Sequence, residues 1–312
     1  DSALELVSKV PVAESVVALT LTHPHGRRLP DWAPGAHIGL ILPSGITRQY
    51  SLCGGRWDPY IYRVAVLREP SGRGGSAFVH DELNVGDFVG VGAPRNNFPM
   101  VPAPAYVFIA GGIGITPLIP MIAQAELMGV EWTLLYGGRT RRSMAFLDEL
   151  AVYGDRVVVA PQDEVGLLDI PTWLADASAR EAKVYVCGPG PLLNAVERCC
   201  TGWPVGRLRV ERFLPKAQGV PARTEPFEVE LARSGATVTV PFGGNVLDEV
   251  QKAGVNVLSS CREGTCGTCE TTVLSGEPDH RDSVLDDDER AAGDCMVICV
   301  SRACSDRLVL DL

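Results

Sequence analysis

The stretch Cys261-Arg262-Glu263-Gly264-Thr265-Cys266-Gly267-Thr268-Cys269 governs how the rest of the 312-residue chain is read. It spaces three cysteines as C-x4-C-x2-C, and further cysteines follow at Cys295, Cys299 and Cys304. Three close thiols and a distant fourth make the plant-type [2Fe-2S] spacing, in which four thiolates hold two irons. A loop wrapping such a group must bend sharply and aim backbone N–H groups at sulfur. Gly264 and Gly267 permit the bends, and the small Thr265 and Thr268 leave room. The competing reading is zinc, which pairs two C-x2-C units, whereas this chain has a single such unit here. Spacing alone leaves Cys295, Cys299 and Cys304 open as the fourth ligand. Cys299, inside the apolar run Met296-Val297-Ile298-Cys299-Val300, suits a buried ligand best, and the metal set is read as Cys261, Cys266, Cys269 and Cys299. Cys53, Cys199 and Cys200 read as small buried hydrophobes.

Working upstream, residues 246–253 have the pattern of a helix, and residues 227–231 and 237–241 form a hairpin pattern across 233–236. Before them, residues 215–226 are rich in Pro, Gly and Ala with no apolar period, the composition of a linker. Residues 103–215 alternate apolar strands (105–110, 132–136, 156–160, 183–187) with helical stretches (117–128, 145–150, 171–176, 189–199). That alternation means a parallel sheet with crossover helices. Residues 1–100 show short, evenly spaced strands at 3–7, 16–22, 37–42, 61–67 and 88–92, the pattern of a barrel or sandwich. The expected fold is multidomain: an antiparallel β-barrel over 1–102, an α/β parallel-sheet domain with linker over 103–222, and an α+β module over 223–312.

Two glycine turns fall at strand ends in the middle domain. Gly111-Gly112-Ile113-Gly114-Ile115-Thr116-Pro117 passes from strand to helix, where backbone N–H groups and the helix start favour a pyrophosphate and Pro117 suits the first turn. Cys187-Gly188-Pro189 follows a second apolar strand at the same sheet edge. In the first domain, Arg48-Gln49-Tyr50-Ser51 and Arg73-Gly74-Gly75-Ser76 each join a cation to a hydroxyl. The combination suits a phosphate beside an aromatic ring system, and equally an ordinary turn with an exposed arginine.

With Gly72-Arg73-Gly74-Gly75-Ser76, Pro94-Arg95-Asn96-Asn97-Phe98-Pro99 and Cys299-Val300-Ser301-Arg302 added, the motifs occur in an order that resembles the phthalate dioxygenase reductase and vanillate O-demethylase reductase family over essentially the whole chain. The same layout occurs as the reductase module of self-sufficient haem-thiolate monooxygenases. The resemblance implies an FMN-binding barrel, an NAD(P)H domain of ferredoxin-reductase type and a β-grasp ferredoxin domain. Arg48, Gln49, Tyr50 and Ser51 would contact the flavin, with Ala65 and Val66 also lining it. Arg73, Gly74, Gly75 and Ser76 would hold the FMN phosphate. Gly111, Gly112, Ile113 and Thr116 would line the nicotinamide and pyrophosphate site, with Cys187, Gly188 and Pro189 beside it and Phe213 near the flavin. Ser51, Thr116 and Cys187 would stand closest to the hydride path. NADH-selective members carry an acidic residue after the strand at 132–136. Here Gly137-Gly138-Arg139-Thr140-Arg141-Arg142-Ser143 has none, and Arg139, Arg141 and Arg142 suit a 2′-phosphate or a solvated basic loop, so the donor is NADH or NADPH.

The implied activity is hydride transfer from nicotinamide to FMN and one-electron transfer through the cluster to a terminal oxygenase, Rieske-type or haem-thiolate. The rivals are a carrier without nicotinamide chemistry and a redox-sensing or structural iron-sulfur protein. Hydrophobic residues at 46% and charged residues at 21% are ordinary for a globular chain, with no run of eighteen apolar residues and no signal pattern at the start. Ten clustered cysteines point to a reducing compartment, the cytoplasm by default, and the expected state is a monomer with no membrane partner. A chain opening on Asp1 rather than Met fits a trimmed chain or a piece of a longer one. Of the net charge of −10, residues 223–312 carry −9, which argues against nucleic acid. The acidic residues Asp279, Asp282 and Asp286 to Glu289 suit either a docking face or a helix start. The five histidines show no metal spacing.

Overall fold

The computed structural model describes residues 2–70 and 72–312. Two compact units divide at Glu211 and Arg212.

The first unit holds two sheets. Strands β1 (Ser2–Ala13), β2 (Val16–Thr22), β3 (His37–Ile41), β4 (Thr47–Ser51), β5 (Ile61–Leu67) and, after helix α1 (Gly75–Asp81), β6 (Phe88–Val91) form an antiparallel sheet in the order β4-β3-β6-β1-β2-β5. Its two edges meet: Leu52 bridges Val64, and the Cys53 N–H donates to the Arg63 carbonyl at 2.8 Å. The sheet thereby becomes a barrel, which removes its free edges. Alternation along the strands fills it with Leu4, Leu6, Leu19, Leu21, Ile38, Leu40, Val64 and Val66.

The second sheet runs β7 (Ala105–Gly111), α2 (Leu118–Met128), β8 (Glu131–Gly138), α3 (Leu147–Leu150), β9 (Val157–Pro161), α4 (Gln162–Val165), α5 (Ile170–Ala179), β10 (Lys183–Cys187), α6 (Gly190–Cys199) and β11 (Leu208–Glu211). All neighbours are parallel in the order β11-β10-β7-β8-β9. Strand β7 is buried along its full length, as a central strand covered on both faces must be. The chain order reverses between β7 and β10, so their carboxyl ends flank a switch-point crevice. Barrel residues Val16, Ala18, Cys53, Ala65 and Phe98 share one core with Tyr106, Phe108, Ile115 and Tyr185 of the parallel sheet, so the two sheets form one packed body.

The second unit is built from β12 (Phe227–Leu231), β13 (Ala236–Val240), α7 (Val246–Lys252), β14 (Glu270–Ser275), β15 (Pro278–Asp279), α8 (Asp287–Ala292), β16 (Cys295–Val297), β17 (Arg302–Ala303) and β18 (Arg307–Leu310). Its main sheet has the order β13-β12-β18-β14-β16 with β12 and β18 parallel, and α7 packs Val246, Leu247 and Val250 into the core. Asn245 caps α7 by accepting the Asp248 N–H at 2.8 Å.

One reading changes. Residues 212–226 have no regular structure, yet they form a strap rather than a free linker. Lys216 N–H donates to Ser283 Oγ at 3.0 Å, Ala222 N–H to Asp279 Oδ2 at 3.1 Å, and the Gln218 side chain to the Arg281 carbonyl at 3.3 Å. In the acidic run the helix start is present, with Asp286 capping α8 in a reciprocal capping box with Glu289; Asp282 is buried, while Asp287, Asp288 and Glu289 are exposed.

Candidate functional site

The four cysteines of the expected cluster set come together in the second unit. Cys261, Cys266 and Cys269 lie on the loop between α7 and β14, and Cys299 lies in the turn after β16, not in a strand. Cys266, Cys269 and Cys299 are buried, while Cys261 is partly exposed. The Cys266 thiol and then the Cys299 thiol, both close by, pull Cys261 well below the usual thiol range, and the Cys299 thiol lowers Cys269 as well. The Glu263 and Thr265 N–H groups point at Cys261 Sγ, at 3.3 and 3.4 Å. That leaves a cradle of sulfur acceptors ringed by amide donors, the donor set an anionic iron-sulfur group needs. Among the described residues no group of three His, Cys, Asp or Glu is set around one metal ion.

The loop reaches this shape through left-handed backbone at Arg262 (φ 57°), Gly264 (φ 71°) and Gly267 (φ 66°). Arg262 has a Cβ, so its conformation costs roughly 1 kcal/mol. Its guanidinium pairs with Asp248 and donates to Gln251 at 3.2 Å, holding it to α7. Neither Cys295 nor Cys304, the other candidates, is perturbed by another cysteine, and burial raises both thiols.

The other site lies in the first unit, at the switch point. Ala110 on β7 is the register partner of Cys187 on β10, so both glycine turns leave the sheet side by side. They touch backbone to backbone. A Cβ on Gly114 would fall 2.6 Å from the Gly188 nitrogen and closer still to the Cys187 carbonyl; one on Gly188 would fall 2.9 Å from the Gly111 Cα. Most glycines here are therefore needed for the turns to pack together. Gly112 differs: it has φ 55° and open space where a Cβ would be. Thr116 is buried, and its hydroxyl donates to the Ile113 carbonyl at 3.0 Å, fixing the turn. Pro117 is the N-cap of α2, one place outside the expected start. Barrel residue Ala65 packs in the same core as Ile115, which brings β5 against the turn.

On the barrel side, Ser51 is 4% exposed and its Oγ is buried with no hydrogen-bond partner. An orphaned hydroxyl of this kind costs about 1–3 kcal/mol unless a ligand meets it. Burial pushes the Tyr50 phenol up to about 12, so it stays neutral. Arg48 lies along the start of α1, donating to the Arg73 carbonyl at 3.2 Å, and a Cβ on Gly75 would strike its side chain at 2.8 Å. Gly74 (φ 82°) opens α1 with no side-chain cap. Ser76 Oγ accepts the Glu69 N–H at 3.0 Å, which leaves its own proton free to donate. A fixed cation over an uncapped helix start suits a phosphate.

Two residues were missed from sequence. Glu211 on β11 is the register partner of Cys187. Burial raises its carboxyl to about 8, the Cys187 thiol opposing, and Oε2 is shut off from solvent without a partner. Burial, then the Glu211 charge, holds Cys187 well above the usual range, so it is a thiol. Glu164 on α4 pairs with Arg141 through two contacts at 3.2 Å. A carboxylate thus reaches the 137–143 loop from the end of the next strand, and Asp163 beside it donates its N–H to the Arg139 carbonyl at 3.2 Å. The Arg142 carbonyl accepts the Glu14 N–H at 2.8 Å. Phe213 belongs to the strap of the second unit and is 40% exposed.

Comparison with known proteins adds the family. Residues 229–304 match Fer2, the 2Fe-2S iron-sulfur cluster binding domain. The chain is 47% identical over 302 residues to phenoxybenzoate dioxygenase subunit beta of Ectopseudomonas oleovorans, covering 96% of this chain and 94% of that one. It is 39% identical over 318 residues to phthalate dioxygenase reductase of Burkholderia cepacia, covering 99% and 97%. The chain belongs to the phthalate dioxygenase reductase family. As a family member it is an oxidoreductase with an antiparallel flavin-type sheet, a parallel nucleotide sheet and an iron-sulfur domain. The solved phthalate dioxygenase reductase, described as modular for electron transfer from pyridine nucleotides to [2Fe-2S], matches 99% of this chain and 97% of its own at TM-score 0.71 and 37% identity. An intact type IV self-sufficient cytochrome P450 monooxygenase matches all of this chain at TM-score 0.94 and 43% identity. This chain spans 41% of that protein's length.

Proposed function

We propose that the chain takes a hydride from NADH or NADPH onto FMN and passes electrons singly through the [2Fe-2S] cluster to a terminal oxygenase. The observation that carries this reading is the pairing, in one chain, of a switch-point crevice beside the orphaned Ser51 hydroxyl with a loop of four converging thiols. When bound, the flavin supplies two-electron uptake with one-electron release, and the cluster supplies a one-electron relay. Around them the side chains have separable tasks. Ser51 offers its hydroxyl to the flavin ring, and Tyr50, Gln49, Ala65 and Val66 line it. Arg48, Arg73, Gly74, Gly75 and Ser76 hold the phosphate. Gly112 leaves open space for the nicotinamide half, Gly111, Ile113 and Thr116 keep the turn in shape, and Gly188 and Pro189 close it from the side. Cys187 stays a thiol against Glu211 and fills the floor of the site.

The donor is tested at Arg139, Arg141 and Arg142. The Arg141–Glu164 ion pair is solvent-exposed and therefore weak, so a 2′-phosphate can compete for Arg141. The acceptor is a Rieske-type oxygenase or, as the match to the fused P450 supports, a haem-thiolate centre. The proposal extends to a monomer at work in the cytoplasm. Ten cysteines with no disulfide among them suit a reducing compartment, and among the described residues no helix is long and apolar enough to cross a membrane.

Replacing Cys266 with Ser tests the order of transfer. Cytochrome c reduction by the FMN-loaded variant should fall at least tenfold while ferricyanide reduction, served at the flavin, persists. Equal loss of both activities would reject the order, and rapid nicotinamide oxidation excludes a carrier without hydride chemistry.

A further inference from the structure

The cluster loop is closed from outside by a buried carboxylate. Asp282 is 3% exposed. Its Oδ1 accepts the N–H groups of Val284 at 2.9 Å and Leu285 at 2.8 Å, and Arg290 Nη2 at 3.2 Å. Its Oδ2 is buried and meets no donor. Arg290, on α8, also donates to the carbonyls of His280, Asp282 and Leu285, at 3.4, 2.8 and 3.0 Å. One guanidinium thus fastens residues 280–285 into a single turn. That turn lies on the cluster loop. The Ser283 N–H donates to the Gly264 carbonyl at 2.8 Å, and a Cβ on Gly264 would fall 3.1 Å from the Asp282 Cα. Gly264 lies between Cys261 and Cys266, so the contact is made between two of the converging thiols.

We infer that Asp282, clamped by Arg290, is a positioning residue for the iron-sulfur group that fixes the loop at Gly264 and holds a buried negative charge against it, lowering the reduction potential. The inference rests on the [2Fe-2S] reading of the loop. Reduction adds negative charge, which a nearby carboxylate opposes and a nearby guanidinium favours. The pair is unequal: the Asp282 side chain is fully buried and that of Arg290 is 27% exposed. Water therefore screens the cation more, and the carboxylate dominates inside. Asp279, His280 and Arg281 are the other ionisable groups on this stretch, and Asp279 and Arg281 pair with each other at 3.3 Å.

The test uses the full chain, with iron and sulfide counted and the cluster followed by its own spectrum in a redox titration. Asp282→Asn keeps the Oδ1 acceptor and the shape while removing the charge. Its reduction equilibrium should shift about tenfold toward the reduced form, which is 59 mV for one electron. Arg290→Gln should shift it severalfold the other way. A merely structural role would loosen the loop in both variants and could not give opposite signs. An unshifted potential in fully loaded Asp282→Asn, or shifts of one sign in both, overturns the inference. If Asp282→Asn does not hold iron, Arg290→Gln decides alone, and a potential that fails to fall overturns it. A parent chain lacking the [2Fe-2S] spectrum would instead reject the cluster reading.

Discussion

Both sites are built on glycine-bearing turns, but the glycines answer different needs. At the switch point, Gly111, Gly114 and Gly188 are required because two backbones touch, and the turns would hold that shape with or without a ligand. In the cluster loop, Gly264 and Gly267 supply left-handed backbone, with Gly264 also pressed against Val300 and Asp282, and the shape gathers four thiols that repel one another once ionised. The first site is rigid through packing. The second is completed by what it binds, since ligand thiolates are held together by metal and binding energy becomes folding energy.

That contrast can be broken at its strongest point first. Gly114→Ala drives a methyl into the Cys187–Gly188 backbone and should cost more than about 3 kcal/mol, read as a collapse in thermal midpoint or in soluble yield. Gly112→Ala, with open space around it, should cost only about 1 kcal/mol for its positive φ while weakening nicotinamide binding. Similar losses in both would mean the turns do not pack as described. Next, removing iron with a chelator under reducing conditions should expose the amides of Glu263 and Thr265 to hydrogen exchange. The amides of β7 and β10 should stay protected. Loss of protection at β7 would erase the distinction between a packed and a ligand-completed site.

A smaller effect sharpens the view of the crevice. Glu211 titrates near 8 when folded against an ordinary 4.5. Between those values the folded chain holds a proton that the unfolded chain has released. Its contribution to stability is thus complete below about pH 4.5 and is lost as pH rises through about 8. Glu211→Gln should gain on the parent in denaturant midpoint across that window, and parallel profiles would show Glu211 to be ionised throughout. The smallest effect is at the basic loop. Arg141→Ala with Arg142→Ala should raise KM for NADPH by about tenfold, the loss of one charged hydrogen bond, and leave NADH nearly unchanged. No change with either donor would leave Arg141 to Glu164 alone.

How much of this could be read from sequence depends on the reach of each interaction. The thiol set was legible because three ligands lie within nine residues and the loop needs small neighbours. The parallel sheet was legible because buried central strands are apolar throughout. Glu211 was not, because what makes it special is its register opposite Cys187, twenty-four residues away, which only the sheet creates. Glu164 was hidden in the same way, since adjacent strand ends bring it to Arg141. The acidic run was legible only in part. Net charge counts Asp282 and Asp286 equally with exposed carboxylates, yet one is buried under Arg290 and the other caps a helix.

The strap bears on how such modules can be exchanged. A fusion designed between residues 222 and 223, where the acidic module begins, would remove the strap's hydrogen bonds to Asp279, Arg281 and Ser283 of the ferredoxin module. A junction between Glu211 and Arg212 keeps residues 212–226 with the body they are tied to. The hereditary unit, for anyone transplanting this electron-delivery cassette onto a new oxygenase, therefore begins some fifteen residues before its first strand.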